Sequence, residues 1–284
     1  MDLSPVILFA YKRLHHIDRT ILALERNNCA KHTRLIVYSD EGVNEPDMAA
    51  VDQVRKRIRN IRGFKSVDIV ERENNFGLAK NIVSGVSEVC NSFDRVIVVE
   101  DDIVTHPGFL TYMNKALEMY ANNESVASIS GYAFPVKARL PEQYFLKMTC
   151  SWGWATWKQS WNGFNENGEW LLKELKRKGA AFDFDLDGTY GFYQMLENWC
   201  LGINDSWGIR WYASNYLNKR LTLFPGTTMV TNIGNDGTGT HGGNTTAFDS
   251  EPEEISGDIK KIDILERKEV REELVKYFQA MSRF

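Results

Sequence analysis

No segment of this chain approaches the roughly 20 consecutive apolar residues of a membrane-spanning helix. Met1–Ala10 carries neither a basic leader nor a small-residue cleavage site, so it does not read as a secretory signal. Together these predict a cytoplasmic location, with peripheral contact at the inner face of a membrane left open. Charge of neither sign dominates: 34 Lys and Arg face 38 Asp and Glu, a formal net charge of −4, so no global field draws the chain to nucleic acid. Cysteine is scarce. Cys29, Cys90, Cys150 and Cys200 show no CxxC and no Cys/His ligand spacing. With 284 residues the chain can bury a substantial core unaided, which predicts free, buried thiols.

What is present alternates. Pro5–Tyr11 is a near-continuous apolar run, as in a strand buried on both faces. His15–Arg26 shows helical spacing, Arg34–Ser39 a second strand, and Asp47–Arg62 a second helix. Val67–Val70, Gly77–Cys90 and Arg95–Val99 continue as strand, helix and strand. Thr105–Ala121 is predicted helical with Pro107 in its first turn, and Val126–Ser130 is a fifth strand. Strand and helix in strict order mean βαβ units and a mostly parallel sheet, with ligands at the strands' carboxyl ends. The second half loses the alternation. Strands are expected at Tyr144–Met148, Leu221–Phe224 and Met229–Asn232, and helices at Trp170–Lys178, Tyr190–Leu201 and Ile209–Lys219. Between them lies a Trp-rich segment, Ser151–Phe164. A Gly-rich stretch, Gly234–Asn244, precedes an acidic linker, Glu251–Asp258, and a charged C-terminal helix that could pack on its own domain or on a partner. A soft boundary falls near Tyr132–Pro141.

The densest chemistry is Val96-Ile-Val-Val-Glu100-Asp101-Asp102. Three adjacent carboxylates after a β-branched run repel one another and gain nothing from the core. A hard divalent cation, Mn²⁺ or Mg²⁺, would justify them, with a diphosphate supplying further oxygen ligands. The alternative is an acidic turn capping the following helix.

Residues 94–113, DRVIVVEDDIVTHPGFLTYM, resemble the Glu-Asp-Asp form of the DxD motif in inverting glycosyltransferases of the GT-A type. The pattern is most similar to the N-acetylglucosaminyltransferase I-like and bacterial family 2-type enzymes, and the likeness runs from Pro5 to about Gly243. It implies an α/β, Rossmann-like GT-A fold over residues 1–250, followed by linker and helix over 251–284. Residues 1–131 would bind the nucleotide sugar and 132–250 the acceptor. The resemblance assigns Asp102 to the metal, Asp101 to the ribose and Glu100 to the sugar. Tyr11 and Arg13 match the base and phosphate pocket, with a solvated helix start as Arg13's plain alternative. Asp40 matches the base-binding Asp or is an ordinary turn residue. Asn75 and Lys80 border the donor, although helix capping accounts equally well for Asn75.

In the second half Asp205 is the candidate general base, or the N-cap of the helix that follows it, and Glu197 is held in reserve. Trp152, Gly153, Trp154 and Arg210 are candidate sugar or acceptor contacts, the Trp residues being equally good core fillers. His241, in the Gly-rich stretch, resembles a C-terminal metal- or diphosphate-binding His, and that stretch could close over a donor. The composite expectation is a metal-dependent inverting transferase, hexosyl or N-acetylhexosaminyl in type. It would move sugar from a nucleoside-diphosphate sugar, UDP-sugar first, to a glycan or lipid-linked acceptor in bacterial surface polysaccharide synthesis. A sugar nucleotidyltransferase is disfavoured because Ala10–Leu14 has no Gly-rich basic loop, and a non-catalytic sugar-binding relative because the carboxylate cluster is intact.

Overall fold

Val6–Ala10 (β1) is apolar at every position because it is buried on both faces with a parallel neighbour on each side. The computed structural model describes residues 3–239, 245–250 and 259–281. From β1 the chain continues as α1 (Leu14–Glu25), β2 (Arg34–Ser39), α2 (Glu45–Ile58), β3 (Ser66–Glu71), α3 (Leu78–Phe93) and β4 (Arg95–Glu100). Then come β5 (Ile103–Thr105), α4 (Phe109–Met119), β6 (Val126–Ser130), β7 (Gln143–Leu146), β8 (Trp154–Trp157) and α5 (Lys158–Trp161). The remainder holds α6 (Gly168–Arg177), α7 (Ala181–Phe184), α8 (Phe192–Cys200), α9 (Trp207–Leu217), β9 (Leu221–Pro225), β10 (Val230–Asn232) and α10 (Lys268–Met281).

Among the described residues the main sheet has eight strands in the order β3-β2-β1-β4-β8-β6-β9-β7. The first four are parallel; β8 runs antiparallel to both β4 and β6, β6 and β9 are parallel, and β7 closes the edge antiparallel. The α/β fold with a mostly parallel central sheet is therefore present. Side-chain alternation splits the core across the sheet. Val6, Leu8, Leu35, Val37, Ile97 and Val99 pack on one face with α1, α2 and α4. Ile7, Phe9, Ile36, Tyr38, Val96 and Val98 pack on the other with α3 and a tryptophan cluster.

That cluster takes two of the four tryptophans of the Trp-rich segment, Trp154 and Trp161. Trp154 is fully buried and lies 5.3 Å from Trp207, 5.8 Å from Trp161 and 6.0 Å from Trp211, ring centre to ring centre. Truncating it removes a large ring that its neighbours cannot replace. Trp154→Ala is expected to cost about 3–5 kcal/mol, read as a lower denaturant midpoint at unchanged slope. A loss below about 1 kcal/mol would mean the cluster re-packs and does not organise this half of the core.

Three expectations need correcting. The predicted helix over Thr105–Ala121 begins only at Phe109, because Ile103–Thr105 pairs antiparallel with β10 in a second small sheet. Pro107 therefore lies before the helix. Trp154–Trp157, read within an aromatic segment, is a strand inserted in the middle of the sheet. All four cysteines are free as expected, but only Cys90 is buried. The C-terminal helix packs on its own domain: Val270, Leu274 and Phe278 are buried at helical spacing, and Phe278 meets the rings of Phe134 and Tyr190. The acidic linker lies outside the described residues. No described helix is long and apolar enough to cross a membrane.

Candidate active site

The chain leaves β1 toward β2 and β3 on one side and returns to add β4 on the other. The carboxyl ends of β1 and β4 therefore flank the point where strand order reverses, the usual ligand crevice of such sheets. Phe9 pairs with Glu100, so the turn after each strand faces the other. Arg13 thus meets a turn 88 residues away: its Nη2 donates to Asp101 Oδ1 and, at 2.7 Å, to Asp102 Oδ2.

The carboxylate turn links β4 to β5, not to a helix. Ile233 N donates to the Asp102 carbonyl at 2.9 Å, and Thr20 Oγ1 to the Asp101 carbonyl at 2.8 Å. Helix α4 takes its cap from elsewhere, Asn27 Oδ1 accepting from Leu110 N at 2.9 Å. The helix-capping alternative for the turn is thereby removed. What remains is a charge imbalance. Burial, then the neighbouring Asp102 and Asp101, push the Glu100 carboxyl up to about 8, although part of the residue stays accessible. Burial likewise raises Asp101 to about 6 against the opposing pull of Arg13. Burial disfavours the Arg13 cation, but Asp101 and Asp102 outweigh it and hold the guanidinium charged. One guanidinium balances the Asp101 and Asp102 carboxylates only in part, and Glu100 answers by holding its proton at neutral pH.

An all-oxygen, anionic donor set is the chemistry a hard divalent ion takes. Among the described residues no three His, Cys, Asp or Glu side chains converge into a closed metal cage. Mg²⁺-type ions need none, binding through one or two carboxylates plus substrate phosphates. The residues fit an open half-site of that kind, in which Asp102 could serve as the protein ligand. Arg13 Nη1 is shielded from solvent and has no hydrogen-bond partner, an orphaned cationic donor suited to a phosphate oxygen.

These groups line one cavity of about 570 Å³. It brings together Tyr11, Arg13, Asp40, Asn75, Glu100, Asp101 and Asp102 from the first half with Trp152 and Asp205 from the second. Asp40 is buried and fully engaged. Its carboxylate accepts from Glu41 N (3.0 Å), Phe76 N (2.8 Å) and Gly77 N (3.0 Å), stapling loop 75–77 to the end of β2. Gly77, at φ +74°, supplies the left-handed backbone that loop needs and is itself the N-cap position of α3. Asn75 does not cap; its Nδ2 donates to the Glu41 carbonyl. The Tyr11 hydroxyl donates to Asp47 at 3.1 Å and is pushed up to about 12, burial being the largest cause, so it stays a neutral phenol.

Asp205 is exposed at the cavity and does not cap α9. The N-cap is Ser206, whose hydroxyl accepts from Ile209 N at 3.3 Å. Other expected residues stand elsewhere. Lys80 is exposed on α3 with its ammonium 4.3 Å from the Phe76 ring. Gly153, at φ +57°, is wedged so that an added Cβ would meet Val230 at 2.8 Å. Trp154 lies in the core. Arg210 is buried, donates to the Glu166 carbonyl at 3.2 Å and stacks 4.6 Å from the Trp199 ring. Glu197 does not line the cavity, and His241 lies outside the described residues. Sequence reasoning passed over Met195 and Asn232 as cavity residues, and did not single out Asn81 or Gly234 within the segments that hold them. An added Cβ at Gly234 would lie 2.1 Å from Asp102 Oδ2, so only glycine lets this backbone pass the carboxylate. The glycine-rich composition was the available signal for it.

No family model matches this chain, and no curated protein matches it. Among solved structures it is similar to S. aureus TarS, at 13% identity and a TM-score of 0.47, over 80% of this chain and 36% of that one. It is also similar to the mannosyltransferase PcManGT from Pyrobaculum calidifontis, in complex with GDP-Man and Mn²⁺. There the identity is 10% and the TM-score 0.37, over 76% of this chain and 72% of that one. The chain thus spans about a third of the TarS chain's length. Neither likeness bears on the chemistry of this chain, and its fold stands on its own sheet order.

Proposed function

We propose that the chain is a glycosyltransferase that takes its sugar from a nucleoside-diphosphate donor and delivers it, with inversion, to a hydroxyl acceptor. The observation that supports this best is the meeting of Arg13 with the Glu100-Asp101-Asp102 turn at the strand-order reversal, in a cavity that also receives Asp205. Among the lining residues Phe9, Tyr11, Val43 and Leu78 suit a base and ribose, and Arg13 with the carboxylate turn suits a metal-bound diphosphate. A UDP-sugar is the first donor to test, with hexosyl or N-acetylhexosaminyl transfer to a glycan or lipid-linked sugar, as in surface polysaccharide synthesis.

Asp102 would hold Mn²⁺ or Mg²⁺, which when bound neutralises charge building on the departing diphosphate. Arg13 would pair with a phosphate oxygen through its unpartnered Nη1, while Asp40 and Asn75 keep loop 75–77 in place beside the base. In the transfer the acceptor oxygen bonds to the anomeric carbon as the carbon–oxygen bond to the β-phosphate breaks. The bonding pair leaves with the nucleoside diphosphate, and the acceptor's proton passes to the Asp205 carboxylate.

The test is calorimetric titration of nucleoside diphosphates and nucleotide sugars, with and without Mn²⁺, into wild type and Asp102→Ala. Metal-dependent binding of one nucleotide, weakened at least about a hundredfold in the variant, is the expected result. Binding that ignores both metal and Asp102 would remove the metal-site assignment, and no binding across the panel would remove the transferase reading.

A further inference from the structure

A second cavity, of about 330 Å³, adjoins the first. Trp152, Met195 and Asn235 line both, and Ser206, which lines the second, follows Asp205, which lines the first. The two differ sharply in chemistry. The first carries Lys12, Arg13, Asp40, Glu100, Asp101, Asp102 and Asp205, whereas among the described residues no Lys, Arg, Asp, Glu or His lines the second. Its ionisable groups are phenols and one thiol. Burial pushes Cys150 up to about 11 and raises Tyr132, Tyr190 and Tyr212, so the described lining of the second cavity is uncharged at neutral pH.

Its walls are aromatic and pre-assembled. Tyr132 meets Trp152 at 4.7 Å, Tyr190 meets Phe192 at 4.6 Å, and Trp152 meets Phe248 edge-on at 5.8 Å. Two donors on residues of this lining have no hydrogen-bond partner: Trp211 Nε1, on a side chain 1% exposed, and Asn235 Nδ2. Apolar faces with a few unsatisfied donors match a sugar ring, whose C–H face is apolar and whose hydroxyls accept hydrogen bonds. The volume is at the low end for ligand pockets, about 300–1,000 Å³, so one or two rings fit and a polymer does not. An anion here would lose hydration and meet no counter-charge among the described lining residues.

We infer that this second cavity is the acceptor subsite and that it selects a neutral pyranoside, excluding sugars that carry phosphate or carboxylate. The inference rests on the transferase reading for its reaction but concerns a separate cavity. Seated there, the acceptor meets the donor cavity where Trp152 and Met195 separate the two, beside Asp205.

Ligand-observed saturation-transfer NMR tests it on the full chain. The probes are methyl and p-nitrophenyl pyranosides, set against glucose 6-phosphate and glucuronic acid, with nucleotide binding measured by calorimetry on the same preparation. Neutral glycosides are expected to bind and the anionic sugars to bind at least about tenfold more weakly. Tyr190→Ala and Phe248→Ala should each weaken glycoside binding about three- to tenfold, the worth of one aromatic contact, and leave nucleotide binding unchanged. Phe248 lies outside any strand or helix, so that variant keeps the test alive if Tyr190→Ala fails to fold. Anionic sugars binding as well as neutral ones, or folded variants binding glycosides at full strength, would overturn the inference. Nucleotide binding without any glycoside binding would overturn it and leave the donor site standing. Glycoside binding without nucleotide binding would support the subsite and sink the donor reading.

Discussion

Asp205→Asn is expected to lower turnover by about 10²–10⁴, the usual worth of a positioned general base, with nucleotide affinity within about twofold of wild type. The substitution keeps the side chain's shape and removes its basicity together with its charge. Asp205 is exposed, and the α9 cap belongs to Ser206, so the variant leaves the cap of that helix in place. That separation is what makes the variant informative. A helix-capping Asp would lose stability and keep its chemistry; a base does the reverse. Single-turnover transfer, read beside a thermal melt and a donor titration, checks it. Near-wild-type turnover would hand the role to another group, and equal loss of binding and turnover would make Asp205 a donor contact instead of a base.

The second large effect concerns Arg13. Its guanidinium pairs with both Asp101 and Asp102, whose side chains are 6% and 17% exposed, while its own is 19% exposed. Removing one partner of such a pair leaves uncompensated buried charge and costs about 3–5 kcal/mol. Arg13→Ala should therefore lower the melting temperature by several degrees in the absence of divalent ions. Because the two carboxylates then lose their counter-charge, Mn²⁺ bound through Asp102 should recover much of the loss. An ion at a hundred times its dissociation constant contributes about 2.7 kcal/mol. The melting shift produced by Mn²⁺ should be larger in Arg13→Ala than in wild type and vanish in the Arg13→Ala, Asp102→Ala double variant. Equal shifts in all three proteins would mean the ion binds elsewhere, and the carboxylate turn would lose its assignment as a metal site.

Much of the first half was legible because its information is local. Val6–Ala10 and Arg95–Glu100 announce strands buried on both faces by being apolar at nearly every position, and the helices between them show their own period. The dense charge after β4 marked a strand's carboxyl end, where the sheet directs ligands. The errors also have local causes. Ile103–Thr105 is three residues long, too short to show a period, and it is a strand only because β10 lies beside it. Trp154–Trp157 is aromatic and uniformly buried, a pattern that a core helix, a core strand and a sugar platform share.

By itself, then, the sequence determined the α/β class, the order of the first elements and the sheet edge that carries the carboxylates. Each of these follows from how neighbouring residues alternate between core and solvent. Only the tertiary structure decided which distant residues share a cavity. Arg13 meets Asp101 because β4 adds beside β1, and that pairing is a property of the chain's path, not of either segment. The same holds for the two tryptophans on either side of Gly153. Trp152 stops short of β8 and faces both cavities, whereas Trp154 enters the strand and turns into the core, so backbone direction divides two side chains of identical chemistry.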